Sequence, residues 1–209
     1  MRKPAMFGLG LTVLLLAPLS GNAPASAQST APLTTAALVT TDALPPIGWV
    51  QFCGDEPQEC DVPTLTPRPA TLDDRRWKQL VRINRDVNDE IEPISDLEHW
   101  GTLEKWSFPT DSKGDCEDYV IEKRKRLIQA GWPRQSLLIT VVRDKKGDGH
   151  AVLLVRTDRG DFVLDNQEQK VKLWTDTGYR FIKRQSQENP NRWVSLGNFD
   201  TAIATASSR

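Results

Sequence analysis

The chain is short of the features that would assign it quickly. Among its 209 residues there are three cysteines, two histidines and no excess of basic charge, with 27 Lys and Arg against 28 Asp and Glu. Both signs are interspersed, so there is no basic stripe of the kind that holds nucleic acid. After the amino terminus no stretch is apolar enough to span a bilayer. No cysteine follows the first apolar run closely enough for lipid attachment. None of the cysteines forms the closely spaced pair of a disulfide oxidoreductase. No internal repeat is visible, and the length suits one domain with a sizeable core better than two.

What is present begins with an export signal. Arg2 and Lys3 precede a mostly apolar run from Phe7 to Leu16, and Ala25-Ser26-Ala27 supplies the small residues that a signal peptidase needs. An uncleaved anchor is the alternative, although the run is short for a span. Residues 1–27 are thus expected to be a signal peptide and the mature chain periplasmic or secreted, with a mildly acidic balance. Residues 28–44, rich in Ala, Thr, Ser and Pro, read as a flexible leader. A single domain over 45–200 and a tail over 201–209 complete the division.

In an oxidising compartment, neighbouring cysteines tend to pair. Cys53 and Cys60 enclose a short polar loop, Gly-Asp-Glu-Pro-Gln-Glu, whose turn-forming residues can bring them together, leaving Cys116 as the free thiol. An inert buried thiol is the bland reading of such a residue.

Periodicity sorts the rest. A helix is expected from Thr71, capped by that residue with Asp74 in support. Trp77, Leu80, Val81, Asn84, Val87 and Ile91 form its inner face up to Pro93. Residues 95–114 look irregular, anchored by Trp100, Trp106 and Phe108. A second helix is expected from about Glu117 to Ala130, with Tyr119, Val120, Leu127 and Ile128 inward and Glu122, Lys123, Arg124, Lys125 and Arg126 in water. Gly131 is placed to close it in a left-handed conformation. Then the period becomes that of strands over Leu137–Arg143, His150–Thr157 and Asp161–Asp165, joined by Gly-containing turns, with further strands within 171–183 and 191–199. Helices followed by an antiparallel sheet define an α+β fold.

Chemistry gathers at Gly114-Asp115-Cys116-Glu117-Asp118-Tyr119. A cysteine at a helix start meets unpaired amides and the positive end of the helix dipole, which favour thiolate and predict a lowered pKa. Those amides can also hold a developing oxyanion. Asp115, Glu117 and Asp118 act in the opposite direction. A bound cation, with calcium suited to such an oxygen site, and simple charge complementarity at the helix terminus explain the acidic cluster equally well. Of the two histidines, His99 beside Trp100 reads as a surface or packing residue. His150 opens a strand after flexible glycines, and Asp165 closes the next. Pairing of those strands through the 158–160 turn would make the two neighbours across the ladder. Asp165 would then fix the imidazole tautomer and leave the other nitrogen to Cys116.

With these residues the chain resembles the bacterial transglutaminase-like cysteine peptidases, a family that includes the periplasmic LapG-type adhesin proteases. The resemblance runs from about Trp49 to Leu196. It is carried by Gly-Asp-Cys-Glu-Asp-Tyr (114–119), Gly-His-Ala-Val-Leu (149–153) and Val-Leu-Asp-Asn (163–166), with Phe52-Cys53, Cys60, Asn84, Asn88 and Arg184-Gln185-Ser186 in support. It implies a papain/transglutaminase-like core, a Cys116–His150–Asp165 triad, and calcium bound by Asp115 and Glu117 with Asp118 as a third candidate. By the same likeness the substrate would be a large surface adhesin, and the regulatory partner an inner-membrane receptor sensing cyclic di-GMP. Two other functions use the same fold: acyl transfer to an amine, as in transglutaminases, and a catalytically silent binding module. The cysteine assignment is checked by mass spectrometry of the alkylated chain. Without reductant only Cys116 should react with iodoacetamide, and Cys53 and Cys60 should be labelled only after reduction.

Overall fold

The computed structural model describes residues 36–197; the expected signal peptide and the tail lie outside them. In chain order the elements are β1 (Val39–Ala43), α1 (Ile47–Asp55), α2 (Pro57–Cys60), α3 (Asp74–Glu90), β2 (Glu92–Pro93), α4 (Asp96–Trp100), β3 (Lys113–Gly114) and α5 (Cys116–Gln129). Strands β4 (Leu137–Arg143), β5 (Gly149–Thr157), β6 (Gly160–Leu164), β7 (Lys172–Leu173), β8 (Arg180–Gln185) and β9 (Trp193–Leu196) follow. Seven strands form one antiparallel sheet in the order β1-β9-β8-β4-β5-β6-β7, and β2 and β3 make a small parallel pair. No described helix is long and apolar enough to cross a membrane.

The central strands β4, β5 and β6 read as nearly continuous apolar runs because both sheet faces are covered. Leu137, Ile139, Leu153, Val155 and Leu164 pack toward the helices with Leu80, Val87 and Leu127. The alternate residues Leu138, Val142, Val152, Leu154 and Val163 pack on the other face with Trp174 and Phe181. Helix α5 lies against β5 and α3.

Several expectations need correction. Part of the leader is ordered, since β1 pairs with β9 and the Ala37 N–H donates to Asp161 Oδ2. The segment before Cys53, and the loop to Cys60, are helical, with Trp49 and Phe52 buried in an aromatic cluster with Trp106, Trp193 and Phe108. Cys53 and Cys60 are joined as a disulfide. Asp73, not Thr71, caps α3, its carboxylate accepting from the Arg76 N–H. Val81 lies off the inner face and is partly exposed. The irregular segment contains α4, whose Ser95 and Glu98 form a capping box, and Trp100 there is exposed rather than an anchor. Lys123 and Arg124 are buried, because α5 is covered on more sides than an amphipathic surface helix. Arg124 is satisfied by the Leu137 carbonyl and Glu59. Gly131, at φ +84°, ends the helix as expected.

A buried polar residue on α3 anchors the loop that carries Asp165. Asn84 is fully buried, its Oδ1 accepting from the Asp165 N–H at 3.0 Å and its Nδ2 donating to the carbonyls of Glu168 and Gln169. Asn88, one turn on, donates to the Asp165 carbonyl at 2.9 Å. Two asparagines thus tether the loop after β6 to α3. Asn84→Ala strands buried backbone groups and should cost about 1–3 kcal/mol. Urea denaturation should register that loss, with Asn88→Ala, whose side chain is less buried, costing less.

Candidate active site

Cys116 is the first residue of α5 and the free cysteine of the chain. Its neighbour Gly114 must be glycine, since a Cβ there would stand 2.5 Å from Asp118 Oδ2. That close approach lets Asp118 fold back over the helix start. Its Oδ2 accepts from the Asp115 N–H at 3.4 Å and its Oδ1 from the Ser107 N–H at 2.7 Å. Asp118 therefore fastens α5 to the segment before it.

His150 stands near the start of β5, and its Nε2 lies 2.8 Å from Asp165 Oδ1. The register pairs Leu153 with Leu164. Asp165 is therefore diagonal to His150 rather than directly opposite, and the side chains bridge the offset. The two are buried together. The Tyr179 hydroxyl donates to Asp165 Oδ2 at 2.6 Å, and the Gln167 N–H donates to Oδ1. Burial alone would raise the Asp165 pKa, but the bonds from His150, Tyr179 and Gln167 outweigh it and hold it below the ordinary carboxylate value. With Nε2 committed, Nδ1 is the ring nitrogen left for proton transfer.

Cys116 and His150 line the same cleft, of about 300 Å³, whose other walls include Glu104, Trp106, Ala151 and Lys183. The Ala151 N–H, next in sequence to His150, faces the Cys116 sulfur and favours its thiolate. The thiol itself donates to Glu117 Oε2 at 2.8 Å. The expected lowering of its pKa is not what this environment gives. Burial first, and then the negative field of Glu117, push it well above the free value. The helix terminus is outweighed because carboxylates stand closer to the sulfur than any compensating cation among the described residues.

Those carboxylates are themselves displaced. Burial and mutual repulsion raise Asp115 to about 6, Glu117 to about 8 and Asp118 to about 7. The structure brings Asp115 together with Glu117 and Cys116 and also, within 4.8 Å, with Asp96 and Asp118. Asp115 Oδ1 is buried without a hydrogen-bond partner. An orphaned oxygen among hard carboxylate donors fits a cation such as calcium. Asp96 and Glu104 were not read from the sequence, because they come from the segment that looked irregular. Tyr179 was missed too; being one of only two tyrosines is a thin signal. His99 stays outside the cleft, bonded to Asp111 and stacked on Trp100.

A free thiol at a helix start, facing the first residues of a strand whose histidine is bonded to a carboxylate, defines a papain- or transglutaminase-type thiol hydrolase on an α+β core. The chain belongs to the family of bacterial transglutaminase-like cysteine proteinases (BTLCP), whose sequence model matches residues 39–201. It is a transglutaminase-like cysteine peptidase. Among solved structures it is similar to Legionella pneumophila LapG. The calcium-bound form has a TM-score of 0.50 and 24% identity over 63% of this chain and 80% of that one. Another LapG structure gives 0.49 and 23% over 63% and 75%. At such identity the likeness speaks to the fold. No curated protein matches the chain.

The displaced carboxylates predict how stability depends on pH. Asp115, Glu117 and Asp118 have folded pKa values above their ordinary ones, so the folded chain binds more protons than the unfolded chain. Their contribution is complete below about pH 4 and drains away as pH rises through about 6 to 8. In chelator, the melting temperature should fall from pH 5 to pH 8. An Asp115→Asn/Glu117→Gln double variant should flatten that fall.

Proposed function

We propose that the protein is an exported peptidase that cleaves a protein substrate through Cys116, His150 and Asp165. The Cys116 sulfur attacks the scissile carbonyl. His150, through Nδ1, takes the thiol proton and passes it to the leaving amine. Asp165 holds the ring in the tautomer that this transfer needs and stabilises the imidazolium. The Ala151 N–H and the first amides of α5 are placed to hold the oxyanion. Water then resolves the acyl-enzyme, with His150 as base. The single observation that carries this reading is the 2.8 Å bond between His150 Nε2 and Asp165 Oδ1 at the cleft that Cys116 opens on.

Asp115, Asp96 and Asp118, with Glu117 beside them, are the residues that would hold a calcium ion, and the calcium-bound form of L. pneumophila LapG supports that reading. Bound there, the ion would supply positive charge beside the nucleophile. Glu117 would then be free to ionise without repelling its carboxylate neighbours, and Asp115 Oδ1 would have a partner. On the family resemblance read from the sequence motifs, the substrate we propose is a large surface adhesin met in the periplasm, with an inner-membrane receptor restraining the enzyme.

The test is cleavage of a purified adhesin fragment from the same cell, followed by gel and mass spectrometry. Cys116→Ala should abolish cleavage, and Asp165→Asn should lower kcat by about 10³–10⁴. Chelator, or Asp115→Ala, should do the same and added calcium should restore the chelated enzyme. Cleavage that survives Cys116→Ala would sink the triad. Full activity in chelator would leave the carboxylates structural. Incorporation of a labelled amine without hydrolysis would make the enzyme a transglutaminase.

A further inference from the structure

Tyr179 does not line the cleft on which Cys116 opens, yet it touches two members of the triad. Its hydroxyl donates to Asp165 Oδ2 at 2.6 Å. Its ring meets the His150 imidazole nearly edge-on, with centroids 5.8 Å apart and planes at 86°. The turn that carries it is fixed without help from the hydroxyl. Thr177 Oγ1 donates to the Trp174 carbonyl at 2.8 Å and accepts from the Tyr179 N–H at 3.2 Å. Gly178 between them takes the left-handed φ of +73°, and β8 begins at the residue after Tyr179. Phenylalanine would serve this turn and this ring contact equally well, so packing does not account for the hydroxyl.

The hydroxyl answers a need of the carboxylate. A carboxyl group turns easily about its last torsion, and when ionised its two oxygens are equivalent acceptors. Asp165 Oδ1 lies 2.8 Å from His150 Nε2 and also accepts from the Gln167 N–H. Both of those bonds act on one oxygen. The bond from Tyr179 to the other oxygen is what fixes the plane of the group. Asp165 and Tyr179 also line a small pocket with Lys145, Glu168 and Thr177, none of which lines the cleft of Cys116. Asp165 is therefore approached from a second side. A water entering there is a mobile donor, whereas the phenol hydroxyl is held by its turn.

We propose, resting on the assignment of Cys116, His150 and Asp165 as the triad, that Tyr179 is a positioning residue of the reaction: its hydroxyl fixes the plane of the Asp165 carboxylate so that Oδ1 stays on His150 Nε2, and its ring bounds the imidazole on one side. An imidazole follows the carboxylate that orients it, so fixing one fixes the other and keeps Nδ1 available to Cys116. Losing the hydroxyl leaves all three triad residues in place but loosens two of them. Fewer of the bound substrates then meet a proton acceptor in line with the thiol. Substrate binding is untouched, because Tyr179 is no part of the cleft wall.

The test is steady-state cleavage of the purified adhesin fragment by Tyr179→Phe in the presence of calcium. The expected result is a kcat lowered about tenfold with KM unchanged. The same substitution made in Asp165→Asn should cost less than about twofold, because a hydroxyl that acts through Asp165 then has no carboxylate left to orient. A folded Tyr179→Phe with the wild-type kcat overturns the proposal. So does an equal loss in both backgrounds, which is how a residue that merely supports the fold behaves. Should Tyr179→Phe not fold, the wild-type chain carries the test through NMR of tyrosine labelled with ¹³C at Cζ. The chain has two tyrosines, and the other, Tyr119, donates to the Ile91 carbonyl. One of the two signals should shift in Asp165→Asn while the other stays, and two unmoved signals overturn the proposal. Failure of the triad itself looks different, since cleavage would then survive Cys116→Ala, whereas failure here leaves Cys116 essential and Tyr179→Phe fully active.

Discussion

Asp165 is a buried carboxylate, and much of the molecule is arranged to keep it ionised. Its two oxygens receive bonds from His150, Tyr179 and the Gln167 amide, and its own amide and carbonyl are taken by Asn84 and Asn88. These partners come from β5, the approach to β8, the following loop and α3, so four parts of the chain meet at one side chain. A residue just past a strand end would otherwise have free torsions, and an imidazole follows the carboxylate that orients it. The placing of the imidazole therefore rests on α3 as much as on the sheet.

Around Cys116 two effects of opposite sign compete, and burial decides between them. The helix terminus offers about half a unit charge spread over several amides. Glu117 offers an oxygen 2.8 Å from the sulfur, with Asp115 behind it, in surroundings where water does not screen them. The nearer and fuller charge wins. Burial and mutual repulsion thereby raise the pKa of the thiol and of its neighbouring carboxylates together, whereas the reactive form of a thiol is the thiolate. A cation among the carboxylates would act on that balance at its source, because it would offset the charges that stand nearest the sulfur.

Much of this was legible in the sequence where a residue's role follows from its position in an element. Leu80, Asn84 and Val87 announce α3 by spacing, and Leu137–Arg143 and the two runs after it announce β4, β5 and β6. Cys116, His150 and Asp165 could be picked out because each sits at an element boundary, where side chains of different elements can converge. Lys123 and Arg124 were read as wet because five charged residues in a row look like a solvated face. Their burial follows from α5 being enclosed by β5 and α3, which no local pattern reports. Helix α1 was hidden because Trp49 and Phe52 are buried by an aromatic cluster drawn from distant residues, not by an amphipathic period. Asp96, Glu104 and Tyr179 reach the site from short or irregular segments, where sequence carries no period to fix the direction of a side chain.

The segment that looked irregular turns out to join the acidic cluster to the wall of the cleft. The Lys105 N–H donates to Asp96 and the Ser107 N–H to Asp118. Between them Trp106 is buried against Trp49, with its indole N–H on Glu104. Trp106 and Glu104 line the cleft on which Cys116 and His150 open. Carboxylates of the cluster beside Cys116 therefore also fix the backbone of the cleft wall. Protonating Asp118 weakens an accepted backbone hydrogen bond at the same moment that it removes charge from the cluster. The shape of the cleft and the ionisation of Cys116 are in this way tied to one set of oxygens.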